Sequence, residues 1–369
     1  MKSNDIIYQI FPRNYSPSGT LKAITNDLDR IKALGVNIIY LMPIHEIGLK
    51  ERKGTYGSPY AIKDYFSISP DLGNIADLKE LIKETHNRGM KIILDMVFNH
   101  TSPDNVLVNN HEDYYFHKDG KLGNRVGEWS DIIDLDTNKI ETQQYLLSVL
   151  KYWVSLGIDG FRFDVASMID FSFFLLAREA LGKDIIFIGE SIDYNFSNYL
   201  LSKGDKVTLD NDMYPTFNSL YNYNYFRELI SYLKGEGKLD NVVKRINEDN
   251  LNLRLLCLEN HDNDRIASLV NKSRLRNLLS FFAFIKGQAF IYMGQEYGNK
   301  IKPPLFEKDP VNLLDIDKEM YSLYLEFINN KIHQKEIIKE HLTLIDENTI
   351  KVNLTYIDKS QDEKIFYLG

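Results

Sequence analysis

With one cysteine, Cys257, among its 369 residues, the chain can form no internal disulfide and no thiolate-held metal cluster. Cys257 lies inside an apolar run, where a buried, inert thiol is expected. An excess of positive charge is also missing: 44 Lys and Arg stand against 52 Asp and Glu, a formal net charge of −8. No basic stripe stands out to neutralise phosphates, which argues against a nucleic-acid partner. No apolar run is long enough to cross a membrane, and Met1-Lys2-Ser3-Asn4-Asp5 leads into a strand without the apolar segment of a signal peptide. A cytoplasmic protein with no membrane partner is the expectation. Repeats and low-complexity linkers are absent. What is present is 44% hydrophobic and 26% charged residues, enough for a large core. Aromatic residues reach 12%; sugar sites use aromatic faces, but most of these rings are expected in the core.

The chain is organised around Gly160-Phe161-Arg162-Phe163-Asp164-Val165-Ala166-Ser167. Read as a strand, it points Arg162 and Asp164 to the same side, because side chains alternate with a period of two. An Asp beside an Arg is expected to have a lowered pKa and to stay ionised, ready to act as a nucleophile or a fixed negative charge. On these residues alone a structural salt bridge fits equally well. Three further apolar runs end in polar chemistry: Lys91 to His100, with Asp95, Asn99 and His100; Asp184 to Glu190; and Leu253 to Asp262, with His261. Buried strands that each deliver acids or histidines at the C-terminal end, then pass into loop and helix, are the habit of a (β/α)8 TIM barrel.

These four segments, in this order, resemble the signature regions of the α-amylase family of retaining glycoside hydrolases, in particular its neopullulanase and maltodextrin-acting members. Ile7 to Pro12 is similar to the family's first strand and Gly287 to Glu296 to its eighth, so the resemblance spans roughly residues 5 to 300. A barrel of this kind usually takes about 250 residues, so segments are added. The expected division is a catalytic barrel over 1–97 and 140–338, an inserted small domain over 98–139, and a truncated C-terminal β region over 339–369 in place of the family's eight-stranded sandwich. Strands are predicted at 6–12, 36–42, 91–97, 158–164, 185–189, 206–209, 253–258 and 288–293. Helices are predicted at 77–89, 140–156 and 316–338, with two or three short strands from Leu342 onward. The long loop 43–76 is expected to be functional.

Retaining hydrolysis needs two carboxyl groups, one to attack the anomeric carbon and one to protonate the leaving oxygen. The resemblance implies Asp164 as nucleophile, Glu190 as general acid/base and Asp262 as the carboxylate that orients the sugar and stabilises its positive transition state. Glu190 emerges from an apolar strand with no adjacent cation in sequence, so a raised pKa is expected. The resemblance further implies that His100 and His261 bind sugar hydroxyls and that Tyr60 stacks on the ring, while Asp95 is expected to fix the plane of Arg162. A metal held by Asp95, His100, His261 and Asp262 is disfavoured, because Arg162 between them would repel a cation. In many relatives an acid directly follows the tyrosine; here Ala61 does, which favours an open cleft. Asp134-Leu135-Asp136 resembles a further family segment, with Ile133 where proline is usual. The chemistry requires no cofactor; structural Ca2+ at Asn99 is the one metal the resemblance suggests. The expected activity is cleavage of α-1,4-glucosidic bonds in maltodextrin or starch-type oligosaccharides. A transglycosylase or a cyclodextrin- or pullulan-cleaving enzyme shares all of these motifs, and a silent sugar-binding homologue would be expected to have lost one of the carboxylates.

Overall fold

The computed structural model describes all residues except 128 and 250–252. Eight parallel strands carry the chain's apolar runs: β1 (Ile6–Ile10), β2 (Ile38–Leu41), β3 (Lys91–Met96), β4 (Gly160–Phe163), β5 (Ile186–Gly189), β6 (Ser219–Leu220), β7 (Leu255–Leu256) and β8 (Gln288–Tyr292). β1, β2, β4 and β8 are buried throughout, as strands covered on both faces must be. Their order in the sheet is β6-β5-β4-β3-β2-β1-β8-β7. A parallel bridge between Leu220 and Arg254 joins its two ends and closes the barrel. β4 and β5 approach so closely that a Cβ on Gly160 would lie 2.4 Å from Ile186, which explains the glycine there.

Helices follow the strands as the apolar periodicity predicts. Ile75–Asn87 (α1) starts from a capping box in which Asn74 and Asp77 satisfy each other's backbone N–H groups. Ile140–Ser155 (α2) and Lys318–Ile332 (α3) lie where helices are expected at 140–156 and 316–338. Between barrel and helices the rings pack edge to face: Phe163 on β4 meets Phe173, Phe174, Phe187 and Phe217, so these phenylalanines are core.

One strand is misplaced by the sequence reading. Residues 206–209 form no strand; the sixth barrel strand is Ser219–Leu220, and Asp210–Met213 is a short helix. Two-residue β6 is too short for its apolar pattern to register, and it is held in place by its neighbours through Tyr221 N–H to Gly189 O and Asn218 N–H to Phe187 O.

After β3 the insertion folds over the barrel mouth through two small antiparallel pairs, His100–Thr101 with Ile133–Asp134 and His117–Lys118 with Lys121–Leu122. The chain ends in an antiparallel meander of three strands, β9 (Ile337–Asp346), β10 (Thr349–Tyr356) and β11 (Gln361–Tyr367). Ile350, Val352, Leu354 and Tyr356 alternate inward on β10, and Phe366 packs on Phe281 and Phe284 of the barrel's outer layer.

Candidate active site

The sequence-predicted site residues gather at the C-terminal ends of β3, β4, β5 and β7 and in the loops that follow β2, β3 and β7. Register explains the centre. Arg162 lies directly across from Asp95 in the β4–β3 ladder, and its Nη1 donates to Asp95 Oδ1 at 2.7 Å and to Asp164 Oδ1 at 2.9 Å. Its Nη2 lies 2.9 Å from Glu190 Oε2. One fully buried guanidinium thus ties the ends of three adjacent strands. Asp95 also accepts from Tyr40 (2.6 Å) and Tyr60 (3.0 Å), which leaves Arg162 no freedom to turn.

One electrostatic expectation is reversed. Asp164 does not have a lowered pKa: burial pushes it well above the usual carboxylate range, Arg162 pulls it down, and Glu190, Asp95 and Asp262 push it up again. Burial likewise raises Asp95. Glu190 does not lack an adjacent cation, since Arg162 reaches it from the neighbouring strand. Asp95, Asp164 and Glu190 crowd around one buried guanidinium, with Asp262 near by at the mouth, and burial together with these like charges favours the protonated forms of Asp164 and Asp95. Sequence reading missed this because it pairs residues by proximity in the chain, whereas burial and cross-strand neighbours set these charges.

The acid Glu190 is gripped at both oxygens. Oε2 accepts the Val165 N–H at 2.8 Å, and Oε1 accepts the Tyr223 hydroxyl at 3.2 Å. Tyr223 in turn accepts from Asn260 Nδ2 (2.8 Å), which leaves its own proton for Glu190. Val165, which offers this N–H, lies in the left-handed region at φ 35°, ψ 47°. For a β-branched residue this is strain of roughly 1–3 kcal/mol stored beside the acid. The sequence reading gives no role to Val165 and does not single out Tyr223, which sits in the Tyr/Asn-rich stretch after β6 with no motif to mark it.

His261 takes part in a chain of hydrogen bonds. Its Nδ1 accepts from Gln9 Nε2 at 3.0 Å, so the Nε2 proton faces the Tyr60 hydroxyl, 2.6 Å away, and Asp262, 3.2 Å away. Tyr60 stacks flat on His261 with ring centres 5.2 Å apart. His100 Nε2 lies 4.0 Å from Asp164, and Asn99 donates to the other ring nitrogen at 3.2 Å. Burial lowers both histidines to about 4, so they face the site as neutral hydrogen-bonding groups. Asp262 is half exposed at the mouth, and Lys302 caps its carbonyl. These groups line a pocket of about 370 Å³ together with Trp129, Val165, Lys53 and Asp131, within the size range of small-molecule sites. Asp64 and Tyr65, in the same loop as Tyr60, lie apart from the pocket; the Tyr65 hydroxyl donates to Val97 O at 2.6 Å and steadies the turn after β3.

The surroundings of Asn99 do not fit calcium. Asn99 Nδ2 is 3.5 Å from Asp134 Oδ1, and the other Asp134 oxygen already binds the Arg125 backbone N–H (2.8 Å) and guanidinium (3.1 Å). That guanidinium also reaches Leu135 O at 3.4 Å and lies over the Phe116 ring. Arg125 thus already supplies positive charge beside Asp134 and Asn99, where calcium would need six to eight oxygen ligands.

The family description "Alpha amylase, catalytic domain" matches residues 9–174 and 175–341. An intracellular maltogenic amylase of Bacillus subtilis is 30% identical over 91% of this chain, and the match spans 58% of that relative's length. The crystal structure of an α-amylase from Lactobacillus plantarum superposes with a TM-score of 0.90 at 36% identity, covering 95% of this chain and 86% of the other. A noncanonic maltogenic α-amylase from Thermotoga neapolitana gives 0.87 at 29% identity, covering 99% and 86%.

Proposed function

The chain belongs to the α-amylase family, and on that premise we propose that it hydrolyses α-1,4-glucosidic bonds of maltodextrin-type oligosaccharides with retention of configuration. The observation that carries this reading is the placement of Asp164 and Glu190 on one Arg162 guanidinium, each 2.9 Å from it, at the ends of neighbouring strands that open into the pocket.

In the first step Asp164, as carboxylate, attacks the anomeric carbon while Glu190 gives a proton to the leaving oxygen. In the second, Glu190 takes a proton from water, which attacks the glycosyl-enzyme and releases Asp164. Arg162 holds Asp164 toward the substrate, and Tyr223 with Val165 N–H holds Glu190. Charge crowding among the carboxylates keeps the transferable proton in the cluster. Neutral His100 and His261 bind sugar hydroxyls, where bonds that tighten as positive charge develops contribute to rate and not only to binding. Asp262 stabilises that charge, and the Tyr60 face supports the apolar side of the ring.

The fixed Arg125 guanidinium supports a fold that needs no calcium at Asn99. Work inside the cell is supported by the likeness to the intracellular maltogenic amylase of Bacillus subtilis; among the described residues no helix is long and apolar enough to cross a membrane. The decisive experiment is incubation with maltoheptaose, with products followed by chromatography and NMR. Initial release of α-anomeric short maltooligosaccharides is the expected result; β-anomers, or no cleavage by folded protein, would overturn the proposal.

A further inference from the structure

Three long segments around the pocket are tied to one another. Lys53, in the loop after β2, pairs with Asp131 of the insertion after β3 at 2.7 Å, and both residues line the pocket. The same β2 loop is fastened to the loop after β8: Thr55 N–H donates to Glu307 Oε1 at 2.8 Å and Tyr56 N–H to Phe306 O at 3.0 Å. Arg13, just beyond β1, clamps both with Nη1 on Gly57 O (2.9 Å) and Leu305 O (3.1 Å). The side chain of Asp131 is only 8% exposed and that of Lys53 35%, so the pair is shielded from water at its acidic end.

The strand order gives this rim a direction. The tied segments follow β8, β1, β2 and β3, which are consecutive around the barrel, and Glu190 ends β5, which lies opposite β1 in a ring of eight. A general acid must stand on the side of the group that leaves. The leaving part of a glucan therefore extends past β5, and the glycone, which runs to the non-reducing end, points into the tied rim.

We propose that the Lys53–Asp131 pair closes the glycone side of the pocket and restricts the enzyme to the non-reducing ends of α-glucan chains. The openness expected from Ala61 is offset by this pair, which comes from two other loops. The inference rests on the hydrolase reading above and deepens it.

The test uses p-nitrophenyl maltoheptaoside and the same compound with a benzylidene group blocking its non-reducing glucose, with the p-nitrophenyl products separated by chromatography. The wild-type protein is expected to cleave the free substrate at least about tenfold faster than the blocked one. The double variant Lys53→Ala/Asp131→Ala, which leaves no orphaned buried charge, is expected to narrow that ratio to about threefold or less by gaining rate on the blocked substrate. Similar wild-type rates on both substrates would overturn the inference and leave the hydrolase reading standing. A wild-type preference that survives in the folded double variant would overturn the role of this pair. Cleavage of neither substrate by wild-type protein would overturn the hydrolase reading and this inference with it.

Discussion

The two ends of the barrel both bury arginine, and they treat it in opposite ways. At the mouth, Arg162 faces Asp95, Asp164 and Glu190 directly, with Asp262 near by, so negative charge is in excess. At the base, Arg254, which precedes β7, pairs with Glu340 of β9, both fully buried, and the pair fastens the C-terminal sheet to the barrel. Beside it, Lys331 is driven well below its ordinary pKa by burial, and donates to Phe282 O, Ile285 O and Gln334 Oε1. The base balances its charges and holds the structure together. The mouth leaves like charges crowded, which costs stability and keeps a proton available. Crowded acids are the mark of a working site, and paired ones of a structural joint.

The contrast would be tested most severely by removing acids at the mouth. Asp164→Ala and Glu190→Gln are each expected to lower kcat/KM by about a thousandfold or more. Calorimetry should show no loss of Tm, and a rise of a few degrees is consistent with relief of like-charge repulsion. A variant that kept most of its turnover, or that unfolded, would erase the distinction between the two ends. The reverse pattern is expected at the base. Glu340→Ala leaves Arg254 without its buried partner, so denaturant titration should show a loss of about 3–5 kcal/mol, with kcat/KM per folded molecule unchanged.

Acidity sharpens the comparison further. Since burial and neighbouring acids raise Asp164, and the nucleophile must be ionised to attack, the acid limb of the kcat/KM profile should lie above the ordinary aspartate value of about 3.9. A limb at or below that value would contradict the crowded mouth. Stability follows the buried histidines, and His45 shares this linkage with His100 and His261 of the site while lying outside the catalytic machinery. His45, buried against Trp153 and Tyr65, is lowered to about 4 by desolvation. A lowered histidine binds fewer protons folded than unfolded, so its contribution is complete above about pH 6.5 and is lost as pH falls toward 4. His45→Gln should flatten the fall in Tm across that window; an unchanged slope would assign it elsewhere. The smallest effect is expected from chelation. With Arg125 seated on Asp134, EDTA should move Tm by less than about 1 °C, a shift well under that of a typical point mutation.

How much of this was legible depends on whether the information is local. β1 to β5 and β8 announce themselves as apolar runs, and Asp95, Asp164, Glu190 and His261 lie at or just beyond strand ends that a barrel must bring together. Their convergence follows from strand periodicity and closure alone. β6 was misread because two residues cannot show a period. Tyr223, Gln9 and Tyr40 went unnamed because each acts through a partner more than thirty residues away, as with Tyr223 and Glu190.

The sequence by itself determined the fold class, the order of the strands and the identity of the acids placed at their ends, because these depend on short repeating patterns and residue type. Only the tertiary structure decided how burial and neighbouring charges act on Asp164 and Asp95, the pairing of Arg125 with Asp134 beside Asn99, and the pairing of Lys53 with Asp131. Those follow from burial and from distances between distant segments, and neither quantity exists until the chain has closed on itself.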